Sequence, residues 1–304
     1  MRKMSLRLAT ALLLSTILFI PSDLLAWGVE GHKAVAIIAA NRLKGTSTEK
    51  RISALLGNLT LADIAVCPDE VRALEQPHHN PLSPACASIF PKNPPKGTAN
   101  WHFVDTPVKT DDPNFNPSPA DVTAACKSDC VLVQIDRFLK VLASAKPNDT
   151  AAQKLAERQA LSFVVHFIGD VHQPLHAADR NNDRGGNNEH VKFFNSESVL
   201  HSIWDTAIVS KIDGNETQLA SDLKPEITNA AQEPASKPMD WALQSYRFAR
   251  DVAYKNIPEA SKNNPNADVA TLTEDYQKSA EPVVREQLAR AGVRLADALA
   301  ANLK

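Results

Sequence analysis

Apolar residues along this chain recur mostly at helical spacing, and strand-like alternation is brief. Within 33–43, Ala34, Val35, Ile37, Ile38 and Leu43 mark one helix. Residues 48–57 and 60–66 predict two short helices parted by Gly57-Asn58. Residues 121–145 predict a single helix with Val131, Ile135, Phe138, Leu139 and Leu142 on one face. A helix over 151–173 follows the capping signal at 146–150 and turns almost wholly apolar toward its end. Residues 215–229, 239–254 and 271–280 predict further helices. Pro282 then marks a break and starts a long amphipathic helix with a Val283, Val284, Leu288, Val293, Leu295 and Leu299 stripe. Stretches rich in Pro, Asn and Asp or Lys at 76–100 and 107–120 predict loops, as does 255–268. Residues 177–197 are polar and contain glycine, with a short hairpin expected through 190–194. The expected fold class is mainly α: one multi-helix domain over 27–304 with a small β-hairpin and long loops.

The first 26 residues stand apart from that pattern. Arg2, Lys3 and Arg7 precede an apolar run from Leu8 to Ile20, and Ala26 ends a short polar region. This is the layout of a secretory signal peptide, removed in the mature protein. No later segment is long and apolar enough to span a bilayer, so no membrane anchor is expected. Without 1–26 the formal charge moves from −2 to −4. No broad basic surface exists for nucleic acid, so any such binding must lean on metal ions or a local pocket. The chain has 4 cysteines: Cys67, Cys86, Cys126 and Cys130. An even count behind a signal peptide reads as two disulfides in a secreted or periplasmic protein. Local pairing, Cys67–Cys86 and Cys126–Cys130, is the expected one of the three connectivities.

The densest chemistry lies at 166–176, HFIGDVHQPLH. Positions four apart on a helix lie about 40° apart around the axis and roughly 6 Å along it. His166 and Asp170 therefore share a face and can bind one ion or a close pair. His172 points away from them. Pro174 bends or ends the helix and re-aims His176. His201 and Asp205 repeat the same spacing among apolar neighbours. Trp27, first in the mature chain, offers a free amine and a carbonyl that can chelate, with His32 five residues on. Asp69, with Arg72 one turn later, and His102, with Asp105 nearby, complete the set. Buried imidazoles and carboxylates are costly without compensation. These nine groups (Trp27, His32, Asp69, His102, His166, Asp170, His176, His201, Asp205) suit three zinc ions with positions left for substrate, at about four ligands per ion.

These motifs make the chain recognisable: WGVEGH at 27–32, PDEVR at 68–72, WHFVDTP at 101–107, HFIGDVHQPLH, GGN at 185–187 and LHSIWD at 200–205. Together they resemble the class I zinc-dependent, single-strand-preferring nucleases of fungi, plants and bacteria over nearly all of 27–303. The resemblance implies a mainly α fold shared with zinc-dependent phospholipase C. It implies one zinc on Asp69, His102, His166 and Asp170, a second on the Trp27 amine and carbonyl, His32 and Asp170, and a third on His176, His201 and Asp205. Asp105 would orient or activate water, Arg72 would hold phosphate, and Asn187 would line a nucleoside pocket. The implied substrates are single-stranded DNA and RNA, cleaved to 5′-phosphates, and 3′-mononucleotides. A monomer is expected. Two other readings stand against this. A phospholipase C would place its first histidine farther from the terminal Trp and end its ligand set in His–Glu. A non-enzymatic zinc carrier would have no use for Arg72 and Asp105.

Overall fold

The computed structural model describes residues 27–303 apart from 113, 147, 256 and 258–268. The segment read as a signal peptide and most of the 255–268 loop lie outside the described residues. The helices are α1 Gly28–Leu43, α2 Ser47–Leu56, α3 Leu61–Ile64, α4 Cys67–Ala73, α5 Pro84–Ile89, α6 Pro119–Cys126, α7 Val131–Ala143, α8 Ala151–Asp170, α9 Leu200–Ser202, α10 Ile208–Ile212, α11 Glu216–Asp222, α12 Lys224–Ala230, α13 Pro238–Phe248 and α14 Glu274–Asn302. The strands are β1 Pro107–Val108, β2 Asp179–Arg180, β3 His190–Phe193, β4 Ser196–Val199 and β5 Ala270–Leu272. The fold is mainly helical, as expected.

Helix α8 is the axis. Thr150 caps its start reciprocally with Gln153. From Ala160 to Asp170 every residue is buried, against α7, α14, α1 and α4. Helix α1 lies along α14 closely enough that a Cβ at Gly292 would sit 2.5 Å from Ile38. That approach requires glycine and brings α1, with His32, beside α8.

Several boundaries differ from the periodicity. The helix expected over 121–145 is two, α6 and α7. Lys127 and Ser128 take left-handed conformations (φ 49° and 66°), and a Cys126–Cys130 disulfide closes the turn. The 76–100 loop contains α5, capped by Ser83 and tied to α4 by the Cys67–Cys86 disulfide. Both bridges follow the local pairing. Helix α8 ends at Asp170 rather than 173, and Pro174 opens a single 3-10 turn, Pro174–His176. Residues 215–229 divide into α11 and α12, with Pro225 in the first turn of α12. Residues 239–254 end in a π turn, Ala249–Ala253. Pro282 lies inside a continuous α14 and breaks nothing. It is exposed, so water can satisfy the carbonyl it frees. The hairpin is β3–β4, and β5 joins it in parallel beside β3 at 270–272, part of the span read as helix.

Candidate metal centre and substrate cleft

Six segments deliver the histidines and carboxylates to one buried cluster. Helix α1 brings His32, α4 brings Asp69, and a 3-10 turn, Ala99–His102, brings His102. Helix α8 brings His166 and Asp170, which share a face as their spacing predicts. The 3-10 turn after Pro174 swings His176 back toward them. His201 on α9 and Asp205 in the π turn Ile203–Ala207 close the far side. All eight side chains are at least nine-tenths buried.

Asp170 sits at the centre and divides its oxygens. Oδ1 lies 3.3 Å from His32 Nε2; Oδ2 lies 3.0 Å from His102 Nδ1 and 3.3 Å from His166 Nε2. Asp69 Oδ1 lies 3.6 Å from both His102 and His166. On the other side, His201 Nε2 is 3.4 Å from Asp205 Oδ2 and 3.1 Å from His176 Nε2.

The surrounding hydrogen bonds aim these rings. Nδ1 of His166 donates to the Ala65 carbonyl at 2.8 Å, that of His176 to His102 at 2.7 Å, and that of His201 to Gly185 at 2.6 Å. A carbonyl only accepts, so each Nδ1 carries a hydrogen; Nε2 of His176 and of His201 then presents a lone pair inward, and Nε2 of His166 does so once its second proton leaves. The lone pairs of His176 and His201 thus face each other at 3.1 Å. That is repulsive unless a cation or proton lies between. Buried atoms of His32, Asp69, Asp170 and Asp205 also lack hydrogen-bond partners. Three His/Asp groups, His32–Asp69–His166, His102–His166–Asp170 and His176–His201–Asp205, have the compactness to hold metal ions. The residues fit a polynuclear cation centre.

The protein's own electrostatics shift these groups apart. Burial and the Arg72 charge depress His102 to about 4. Burial and neighbouring His176 depress His201 to about 3. His166 goes the other way: burial opposes its charge, but Asp170 and Asp69 hold it protonated up to about 10. Burial raises Asp205 far above the usual carboxylate range. A metal ion would displace the His166 proton and satisfy both carboxylates.

A cleft of about 790 Å³ opens onto this cluster, lined among others by Asp69, Arg72, Phe103, Asp105, His176 and Asn187. Arg72 NH2 pairs with Asp69 Oδ1 at 3.0 Å while facing the cleft. Asn187 donates to the Arg184 carbonyl and leaves its buried Oδ1 unpartnered. Burial and nearby Asp179 push Asp105 up to about 6, against the Lys127 charge. A profile of the S1/P1 Nuclease family matches residues 27–304. The chain belongs to that family. This nuclease is 28% identical to nuclease S1 of Aspergillus oryzae over 299 residues, covering 89% of each chain. It is 28% identical to endonuclease 4 of Arabidopsis thaliana over 294 residues, 90% of this chain and 88% of the relative. Against nuclease P1 of Penicillium citrinum it is 31% identical over 191 residues, 62% and 60% of the two chains.

Three residues of the nuclease escaped the sequence reading. Gln173 donates to Asp205 Oδ1 at 2.6 Å and fixes that carboxylate. Gly169 makes room for the His32 ring. Phe103 is the aromatic among the described residues of the cleft lining. Its place between His102 and Asp105 was the available signal. Trp27 is buried, and its indole donates to the Gly169 carbonyl at 2.9 Å, beside His32's helix. His172 faces away, between the Ile168 carbonyl and Arg294. His78 and His79 are exposed.

Proposed function

We propose that this nuclease is a secreted or periplasmic, monomeric enzyme with three zinc ions that hydrolyses phosphodiesters of single-stranded DNA and RNA. Its products carry 5′-phosphates, and it also removes the phosphate of 3′-mononucleotides. The observation that carries this reading is the buried cluster: inward-facing imidazole lone pairs around a carboxylate with divided oxygens, open to a cleft that carries a cation and a carboxylate. Asp69, His102, His166 and Asp170 would hold one zinc; the Trp27 amine and carbonyl, His32 and Asp170 a second; His176, His201 and Asp205 the third. Imidazole and carboxylate donors favour zinc. Zinc ions bound there supply Lewis-acid polarisation of the phosphoryl oxygens and of water.

The chain's own groups do the remainder. Arg72 binds a nonbridging phosphate oxygen, for which its guanidinium fork is suited. Asp105, deprotonated, takes the proton of the attacking water. Phe103 stacks on a base and Asn187 bonds its nucleoside. A base must leave its stack to reach Phe103, which favours single strands. Two disulfides suit an oxidising compartment. The test is elemental analysis of the processed protein with end-label analysis of cleaved single- and double-stranded DNA. Zinc-bearing protein giving 5′-phosphates from single strands supports the reading. Metal-free protein, or equal cleavage of duplex, overturns it.

A further inference from the structure

Two clefts meet at Asp105. The first, described above, holds Arg72, Phe103 and Asn187. The second, about 740 Å³, extends past Pro107, Lys109 and Phe115 to Lys127, Asp179 and Asn182. A recess of about 100 Å³ shares Asn100, Phe103 and Asp105 with the first and Asp105 and Lys127 with the second. Cavities of roughly 300–1,000 Å³ hold ligands of nucleotide size. A 3′-mononucleotide ends at the phosphate to be cleaved and fills the first cleft alone. A polynucleotide continues beyond it and needs a second place.

The second cleft is acidic, with Asp105, Asp111, Asp121 and Asp179 against Lys109 and Lys127. A continuing strand must therefore find a cation. Lys109 is engaged, its Nζ 3.9 Å above the Phe115 ring. Lys127 is exposed and has no carboxylate partner among the described residues. It is also rigidly presented. Lys127 and Ser128 both adopt left-handed backbone, which side chains disfavour, inside the loop clamped by Cys126–Cys130. The lysine thus stands on a fixed turn at the boundary of the two clefts, close enough for its charge to act on Asp105.

We propose that the second cleft takes the nucleotide on the 3′ side of the scissile phosphate, and that Lys127 binds the next phosphodiester along the strand. This rests on the nuclease reading above. Lys127 is then a determinant of preference for polynucleotides over 3′-mononucleotides.

The test pairs a change in the enzyme with one in the substrate. Two trinucleotides are compared for cleavage at the first linkage, one all-phosphate and one with a neutral methylphosphonate at the second linkage. In the wild type, neutralising that linkage lowers kcat/KM about tenfold, the scale of one charge-assisted contact. Lys127→Ala lowers kcat/KM on the natural trinucleotide as much, and the neutral linkage then costs nothing more. Lys127→Arg keeps the discrimination. The dependence of log binding on log salt for single strands falls in slope by about 0.7 in Lys127→Ala. If Lys127→Ala distinguishes the two trinucleotides as well as the wild type does, the proposal is overturned. A wild type that cleaves neither overturns the nuclease reading, and this proposal with it.

Discussion

Alanine at position 169 tests the metal centre without touching a candidate ligand. A Cβ there would lie 2.7 Å from His32 Nδ1 and 2.9 Å from its Cε1. Ordinary contact begins near 3.4 Å, so the ring must retreat by roughly 0.7 Å. It cannot do so freely, because His32 stacks on His166 at 4.0 Å between centroids and is wholly buried. Ligand distances in metal sites tolerate only about 0.2 Å. The expected result for Gly169→Ala is one zinc lost or weakened by about 10–100-fold, the scale of disturbed ligand orientation. Turnover on single-stranded DNA should fall by about 10²-fold, as misplacement of that order does. Elemental analysis of dialysed protein and initial rates measure both. Circular dichroism melting separates loss of metal from loss of fold. The double variant His32→Ala with Gly169→Ala removes the steric conflict, so its fold is retained while the zinc stays absent. Full zinc content and wild-type turnover in Gly169→Ala would refute the placement of His32 at a metal.

Other consequences are equally direct. Asp105→Asn should keep its zinc and lose about 10²–10⁴-fold in kcat, the usual contribution of a general base; retained rate removes Asp105 from the mechanism. Burial and Asp179 push Asp105 up to about 6, and it works deprotonated, so kcat/KM should rise with pH and level off above that value. Bound cations draw the limb lower, so a midpoint above 7, or an unchanged limb in Asp105→Asn, contradicts the assignment. One extra residue before Trp27 in the processed protein should remove an amine ligand and with it one zinc per chain; unaltered zinc and activity would exclude the chelate. Replacing Cys67 and Cys86 by serine opens a bridge spanning 19 residues and should lower stability by about 3 kcal/mol. A denaturation midpoint equal to that of the wild type would show that α4 and α5 hold without the bridge.

The sequence by itself determined the residue types and their local spacing. His166 and Asp170 share a face because a helix repeats every 3.6 residues, and His201 and Asp205 approach within 3.4 Å for a related reason, although a π turn carries Asp205. The apolar stripes of α7 and α14 were likewise readable, since burial imposes the helical period. Local disulfide pairing was only the expected one of three connectivities until the structure showed it. Only the tertiary structure decided what spacing cannot encode. It set His32, Asp69 and His102 around Asp170 across large sequence gaps, through the close packing of α1 on α14 and α8. It gave Gly169 and Gln173 their meaning, which depends on a neighbour's ring and a neighbour's carboxylate. It broke the 121–145 helix at Lys127, where a covalent bridge outweighs helical propensity, and left α14 unbroken at an exposed Pro282. Periodicity reports which face of an element is buried; it carries no record of which element will cover that face.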